Sequence, residues 1–508
     1  MSKNRSGQST YFRARWIFMR AMGAVFFSAF YSWAFQVRGL MGPRGILPAR
    51  ELLAALSAAH MGWRGIWEVP SLLWIGSGNA ALTVVVGCGL IASLLLFLNV
   101  WPRAMLLACE ILYMSLAAAA GDFSSYQSDG MLLEAGLLSF LFAPMGFLPG
   151  LGENDPPDGI GRFLLVWEWF RIYFESGVVK LASGDPQWRH LTAMEHYYEN
   201  GPLPTWIGYY AQQCLPKLFH KGTALATLLL ENVFVWTAFL GRPLRLACFF
   251  VTAAFQIGIL LTANYTFLNY LLLSLSVLLL DDRFFESLGW RAAKAGESAA
   301  EPGRLARLGA ALKRFVQAWI FYATLVLFPL LAPRLPSWAL LPAEALGPLR
   351  VANSYGLFAV MTTARYEIEF QGTRDGKTWT PYPFRYKPQD VDSVPGLYAP
   401  YQPRFDWNLW FASLGNWRQY SWVLRVEKAL LEQDEDVLYL FKANPFSDKP
   451  PIAARAVIWR YWFSSPAEKK KTGAWWDRKL LGLYAPILAR EPDGKIYLEP
   501  PPGAPGAR

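Results

Sequence analysis

Up to about residue 333 the chain runs in apolar blocks long enough to cross a bilayer. A helix needs about 20 mostly apolar residues to do so. In lipid every backbone polar group must be satisfied internally, which leaves a helical bundle as the natural outcome. Nine segments qualify: 16–37, 80–100, 104–120, 131–149, 162–182, 222–241, 243–262, 265–281 and 315–333. The first follows Lys3, Arg5, Arg13 and Arg15, lacks a small-residue cleavage site, and reads as an uncleaved signal anchor. Charged residues make up 17% of the chain, below the roughly 25% of soluble domains.

The net charge of +10 is scattered around the apolar blocks and forms no basic stripe, so it argues for membrane topology and against nucleic-acid binding. With a cytoplasmic N-terminus, nine spans place four basic stretches on the cytoplasmic side. These are the N-terminal tail, Arg103, Gly241–Arg245, and the 281–314 loop with Arg283, Arg291, Lys294, Arg304, Arg307, Lys313 and Arg314. The acidic loop 152–158 is the one cytoplasmic segment that lends no support. The C-terminal domain is then expected in the periplasm or an equivalent lumen. Cys88, Cys109, Cys214 and Cys248 form no CxxC pair and read as small apolar packing residues.

The expected fold class is therefore a polytopic α-helical membrane bundle (1–340) followed by a small β-rich α+β extracytoplasmic domain (341–498) and a disordered tail (499–508). Tyr366–Phe370 alternates with period two, and Thr373–Lys377 supplies an Asp-Gly turn before a second strand at 379–386. Another strand is expected over 453–464, with helices over 406–413 and 421–433. Pro48–Ala59 is amphipathic. Trp188–Gln213 is aromatic and polar, as suits a membrane interface.

Ionisable groups inside spans mark a site or a structural pairing. Glu168, Arg171 and Glu175 lie on one helical face, where a salt bridge within the helix would neutralise all but one charge. Lys180 sits more than about 100° off that face and needs a partner elsewhere; Asp129, Glu134 and Asp122 are the candidates. His190 and His196 are six residues apart, which is not the i, i+4 spacing of a helical metal pair. Neither a metal nor a cofactor is expected.

Ser125–Pro144 (SYQSDGMLLEAGLLSFLFAP), Trp167–Tyr198, Asn353–Gly356 (NSYG), Arg404–Phe411 (RFDWNLWF), Asn444–Phe446, Arg460–Phe463 and Trp475–Trp476 together resemble the lipase maturation factor family. In eukaryotes that family comprises endoplasmic-reticulum membrane proteins needed for secreted dimeric lipases to fold and assemble. The resemblance implies a folding factor whose partners are exported clients, by resemblance lipases, and membrane lipids. It carries no catalytic residues. Composition points to a bacterial member in the inner membrane. The C-terminal domain is rich in aromatics (Trp379, Tyr382, Tyr398, Tyr401, Trp407, Trp410, Trp475 and Trp476); most are expected in its core, and any that are exposed would make contact anchors.

Ser176–Leu181 (SGVVKL), with Asp185 and Trp188, is also similar to a segment of vitamin K-dependent γ-carboxylases. There the lysine matching Lys180 is the catalytic base. The alternative function is thus an intramembrane enzyme with Lys180 as base, assisted by Asp129, Glu134 or His190, acting on a lipid-like or quinone substrate. The surrounding polar cluster is Glu168, Arg171, Glu175, Asp185, Trp188 and Arg189.

Overall fold

The computed structural model describes residues 10–59, 61–291 and 303–499. Each expected membrane segment falls on a helix: α1 (Phe12–Met41), α2 (Asn79–Phe97), α3 (Pro102–Ala119), α4 (Gln127–Phe142), α5 (Gly159–Ala182), α6 (Lys217–Asn232), α7 (Arg242–Thr262), α8 (Leu268–Ser276) and α9 (Arg304–Val326). Five are long and apolar enough to cross a bilayer: α1, α2, α3, α7, and α6 with its extension to Phe239. The other four differ for visible reasons. α4 has 16 residues and α8 has 9, α5 carries five charges, and α9 opens on Arg304 and Arg307. The chain is an integral membrane protein.

One end of the bundle gathers a set of basic residues, several of which are paired with acidic side chains. The Asp282 carboxylate accepts the Phe12 and Arg13 N–H groups at 3.0 and 2.9 Å, closing the otherwise unsatisfied start of α1. Arg242 and Arg245 lie 2.8 and 3.1 Å from Asp281. The acidic loop that ran against the charge rule belongs here too. Asp155 lies 3.6 Å from Arg103, and Asp158 is 3.1 Å from Lys313. It neutralises cations brought to the same end.

The C-terminal domain packs against the opposite ends of the helices. Its sheet is antiparallel throughout: β1 (Arg365–Thr373), β2 (Thr380–Pro381), β3 (Ala453–Phe463), β4 (Trp476–Leu483), β5 (Leu488–Arg490) and β6 (Ile496–Leu498). The order is β2-β1-β3-β5-β6, with β4 beside the second half of β3. Ile368 stands opposite Ile458 at the centre of the β1–β3 pair. Helices α10 (Arg404–Ser413) and α11 (Trp422–Glu432) cover β1 and β3. The Asp-Gly turn forms as expected: Gly376 has φ +71°, and the Asp375 carboxylate accepts N–H groups of Lys377 and Thr378. The strand expected over 379–386 shrinks to Thr380–Pro381, since prolines 381 and 383 cannot donate to a ladder. The tail expected at 499–508 lies, apart from Glu499, outside the described residues.

One further expectation needs correction. Cys109 and Cys248 are buried, but Cys88 and Cys214 are exposed. On a lipid-facing helix such as α2 the outward side is itself apolar, so a cysteine there need not pack inside. The eight aromatics of the C-terminal domain are all buried or half-buried, in keeping with a core role for most of them. They are the domain's own core and its seam with the bundle.

Candidate functional site

The first half of α4 carries two carboxylates that face the C-terminal domain. Asp129, fully buried, forms a bidentate pair with Arg404 at the start of α10, with N–O distances of 2.9 and 3.0 Å. Tyr113 and Ser124 donate to the same carboxylate. The Arg404 guanidinium also donates to the Phe123 carbonyl and lies 4.2 Å from the Trp33 ring centroid. A buried ion pair survives only when its remaining lone pairs and protons are met in this way.

One turn on, Glu134 pairs with Arg171 of α5. Its other oxygen accepts the Asn353 backbone N–H at 3.0 Å, the Asn353 side-chain amide at 3.0 Å and the Tyr355 hydroxyl at 2.8 Å. Arg171 donates in turn to the Asn353 carbonyl at 2.6 Å and lies 3.7 Å from Glu175. The segment 350–361 crosses the mouth of the bundle without regular structure, so its buried N–H groups need partners from side chains. Glu175 takes the Tyr355 N–H at 2.6 Å and Ser176 the Leu357 N–H at 3.2 Å. Asp185 takes that of Met361 at 2.7 Å, and Trp188 donates to the Phe358 carbonyl at 2.9 Å. The polar residues of α4 and α5 thus clamp a strap of the C-terminal half.

Lys180 belongs to a different neighbourhood. Its Nζ lies 2.7 Å from Glu231 of α6, and the Trp188 ring is 5.3 Å away. The expected partners Asp129 and Glu134 are held by Arg404 and Arg171, and Asp122 gives its backbone carbonyl to Asn408. The Lys180–Glu231 pair edges an apolar cavity of about 290 Å³ between α5, α6, α7 and α8. Inside it, Gln256 donates to the Tyr173 hydroxyl and accepts from Asn269, each at 2.6 Å.

The four residues considered for catalysis are therefore not brought together, and His190 is exposed. Arg189 is exposed as well, and Glu168 is fully buried one turn before Arg171. The reading of Glu168, Arg171 and Glu175 as a pairing internal to α5 holds only for Arg171 and Glu175. The stronger partner, Glu134, comes from α4, and Glu168 forms no ion pair among the described residues. Glu231 was not singled out from sequence; it closes an apolar run, and only the crossing of α5 with α6 reveals its role.

The two halves that meet at this clamp match two family models: the lipase maturation factor transmembrane domain over residues 13–287, and the lipase maturation factor C-terminal domain over 351–486. The chain belongs to the lipase maturation factor family. It is 31% identical to lipase maturation factor 2 of Gallus gallus, over 94% of this chain and 81% of that protein. It is 30% identical to lipase maturation factor 1 of Bos taurus, over 95% and 90%, and 30% to factor 1 of Homo sapiens, over 95% and 89%. No solved structure matches it significantly. Within this family member, Asp129 and Glu134 from the first matched region bind Arg404 and Asn353 from the second.

Proposed function

We propose that this chain is a membrane-anchored folding factor for exported proteins, with lipases as the client class. Relatives that match nearly the whole length are named lipase maturation factors. The observation that carries the reading is an unpaired apolar flank of the sheet. Among the described residues β4 pairs with β3 alone, and β4 and β6 expose Leu480, Leu481, Leu483, Tyr497 and Leu498. Exposed apolar patches beside a free edge are where a sheet accepts an extended segment of another chain. An incompletely folded client offers such a segment.

The bundle holds this surface at one side of the membrane, and the clamp fixes its orientation. In our reading all nine helices cross, their ends alternating between the two sides. Residues 1–340 form the membrane domain and 341–498 the extracytoplasmic one, facing the periplasm of a bacterial inner membrane with the N-terminus cytoplasmic. The basic end described above fits that orientation. Lys180 serves as one half of a buried ion pair, not as a base. A photoreactive residue at position 480 in the full chain, in cells exporting a lipase, is expected to form adducts with the lipase before it folds. Adducts at a buried position such as 430 but none at 480 would contradict the reading.

A further inference from the structure

The cavity beside Lys180 has a side entrance. Phe219 and Ala226 of α6 and Gly258 of α7 line it and are themselves exposed, so its rim opens between two helices. The outer faces flanking that rim are apolar: Leu218, Leu225 and Leu229 on α6, Ile257 and Leu261 on α7. Such faces lie against lipid tails, and the opening is therefore toward the bilayer. At the inner end stands a partition of Tyr197, Tyr265 and Phe358, with ring centroids 5.0–6.1 Å apart. Behind it lies a second space of about 620 Å³ between the bundle and α10, sharing these three residues as its wall. Phe358 and Thr266, which adjoin the partition, both have φ +56°. That conformation is costly for an aromatic or β-branched residue and concentrates at functional sites.

The geometry points to a lateral binding site for a single-chain, uncharged amphiphile of the monoacylglycerol class. Its acyl chain lies among Phe255, Ile259 and Leu272, and its hydroxyl-bearing head meets the polar groups of Tyr173, Gln256 and Asn269. The volume is at the lower limit of ligand pockets, about 300 Å³, which suits one chain. Among the described residues Lys180 and Glu231 are the only charged ones on its wall and neutralise each other, so an ionised head would gain no counter-ion.

The test uses the full chain in phosphatidylcholine nanodiscs with a diazirine-bearing monoacylglycerol, and adducts mapped by mass spectrometry. Adducts are expected on Thr223–Glu231 and Phe255–Thr262, competed by monoolein and not by equal oleate. A side chain at Gly258 meets open space. Leu225 is exposed on the face of α6 opposite Thr223 and Thr227, away from the cavity. Gly258→Phe should lower cavity labelling about tenfold, and Leu225→Phe should leave it unchanged. Ala226→Phe at the opposite side of the rim should repeat the Gly258→Phe result. Equal labelling in the rim variants and wild type, adducts confined to outer faces, or competition by oleate alone would overturn the assignment. None of these readouts involves a client protein.

Discussion

Removing the Arg404 guanidinium leaves the Asp129 carboxylate buried without a counter-charge, and breaking such a pair costs about 3–5 kcal/mol. Arg404→Met is expected to lower the thermal midpoint in nanodiscs and expose 350–361 to protease. Asp129→Asn with Arg404→Met should recover part of the loss, and an unchanged midpoint in the single variant would contradict the clamp. Asp406, on the same helix, behaves differently. Burial raises its carboxyl to about 6, although the backbone N–H groups of Tyr386 and Lys387 oppose the rise. The unfolded chain ionises near 3.9. Between those values the folded protein holds a proton that the unfolded one has released. Its contribution is thus fully present below about pH 4 and is lost as pH rises through about 6. At 1.36 kcal/mol per unit this is at most roughly 3 kcal/mol. Asp406→Asn keeps both backbone bonds through Oδ1 and should flatten the midpoint between pH 4 and 6; an unaltered slope would exclude Asp406 as the cause.

Elements with strong local patterns were legible from sequence. β1, β3, α10 and α11 lie within a few residues of where alternation and helical spacing put them. The nine apolar segments likewise fall on helices, five of them long and apolar enough to cross a bilayer. β4 was not legible, because Trp476–Leu483 has no alternation to read. A bulge at Ile458/Trp459 interrupts its register, and its leucines are exposed. Partners across helices were also hidden. Nothing local to Asp129 or Lys180 names Arg404 or Glu231, residues 275 and 51 positions away. Because the β4 leucines stand outside the core, Leu480→Lys with Leu483→Lys should change stability by no more than about 0.5 kcal/mol per site. The same variant should lose photocrosslinking to an exported lipase. A large drop in the thermal midpoint would mean that these side chains are core after all.

At the scale of the whole molecule, the two family regions are clamped together, with the proposed client surface and the buried lysine far apart in role. Lys180→Arg separates the two functional readings. Arginine keeps a cation for Glu231 but remains protonated at any physiological pH, so it cannot serve as a base. The decisive measurement is secreted lipase activity in a deletion strain complemented with wild type, Lys180→Arg, or Leu480→Lys with Leu483→Lys, at matched protein levels. The account predicts rescue by wild type and Lys180→Arg and failure of the β4 variant. Failure of Lys180→Arg together with rescue by the β4 variant would contradict it and place the function at the lysine.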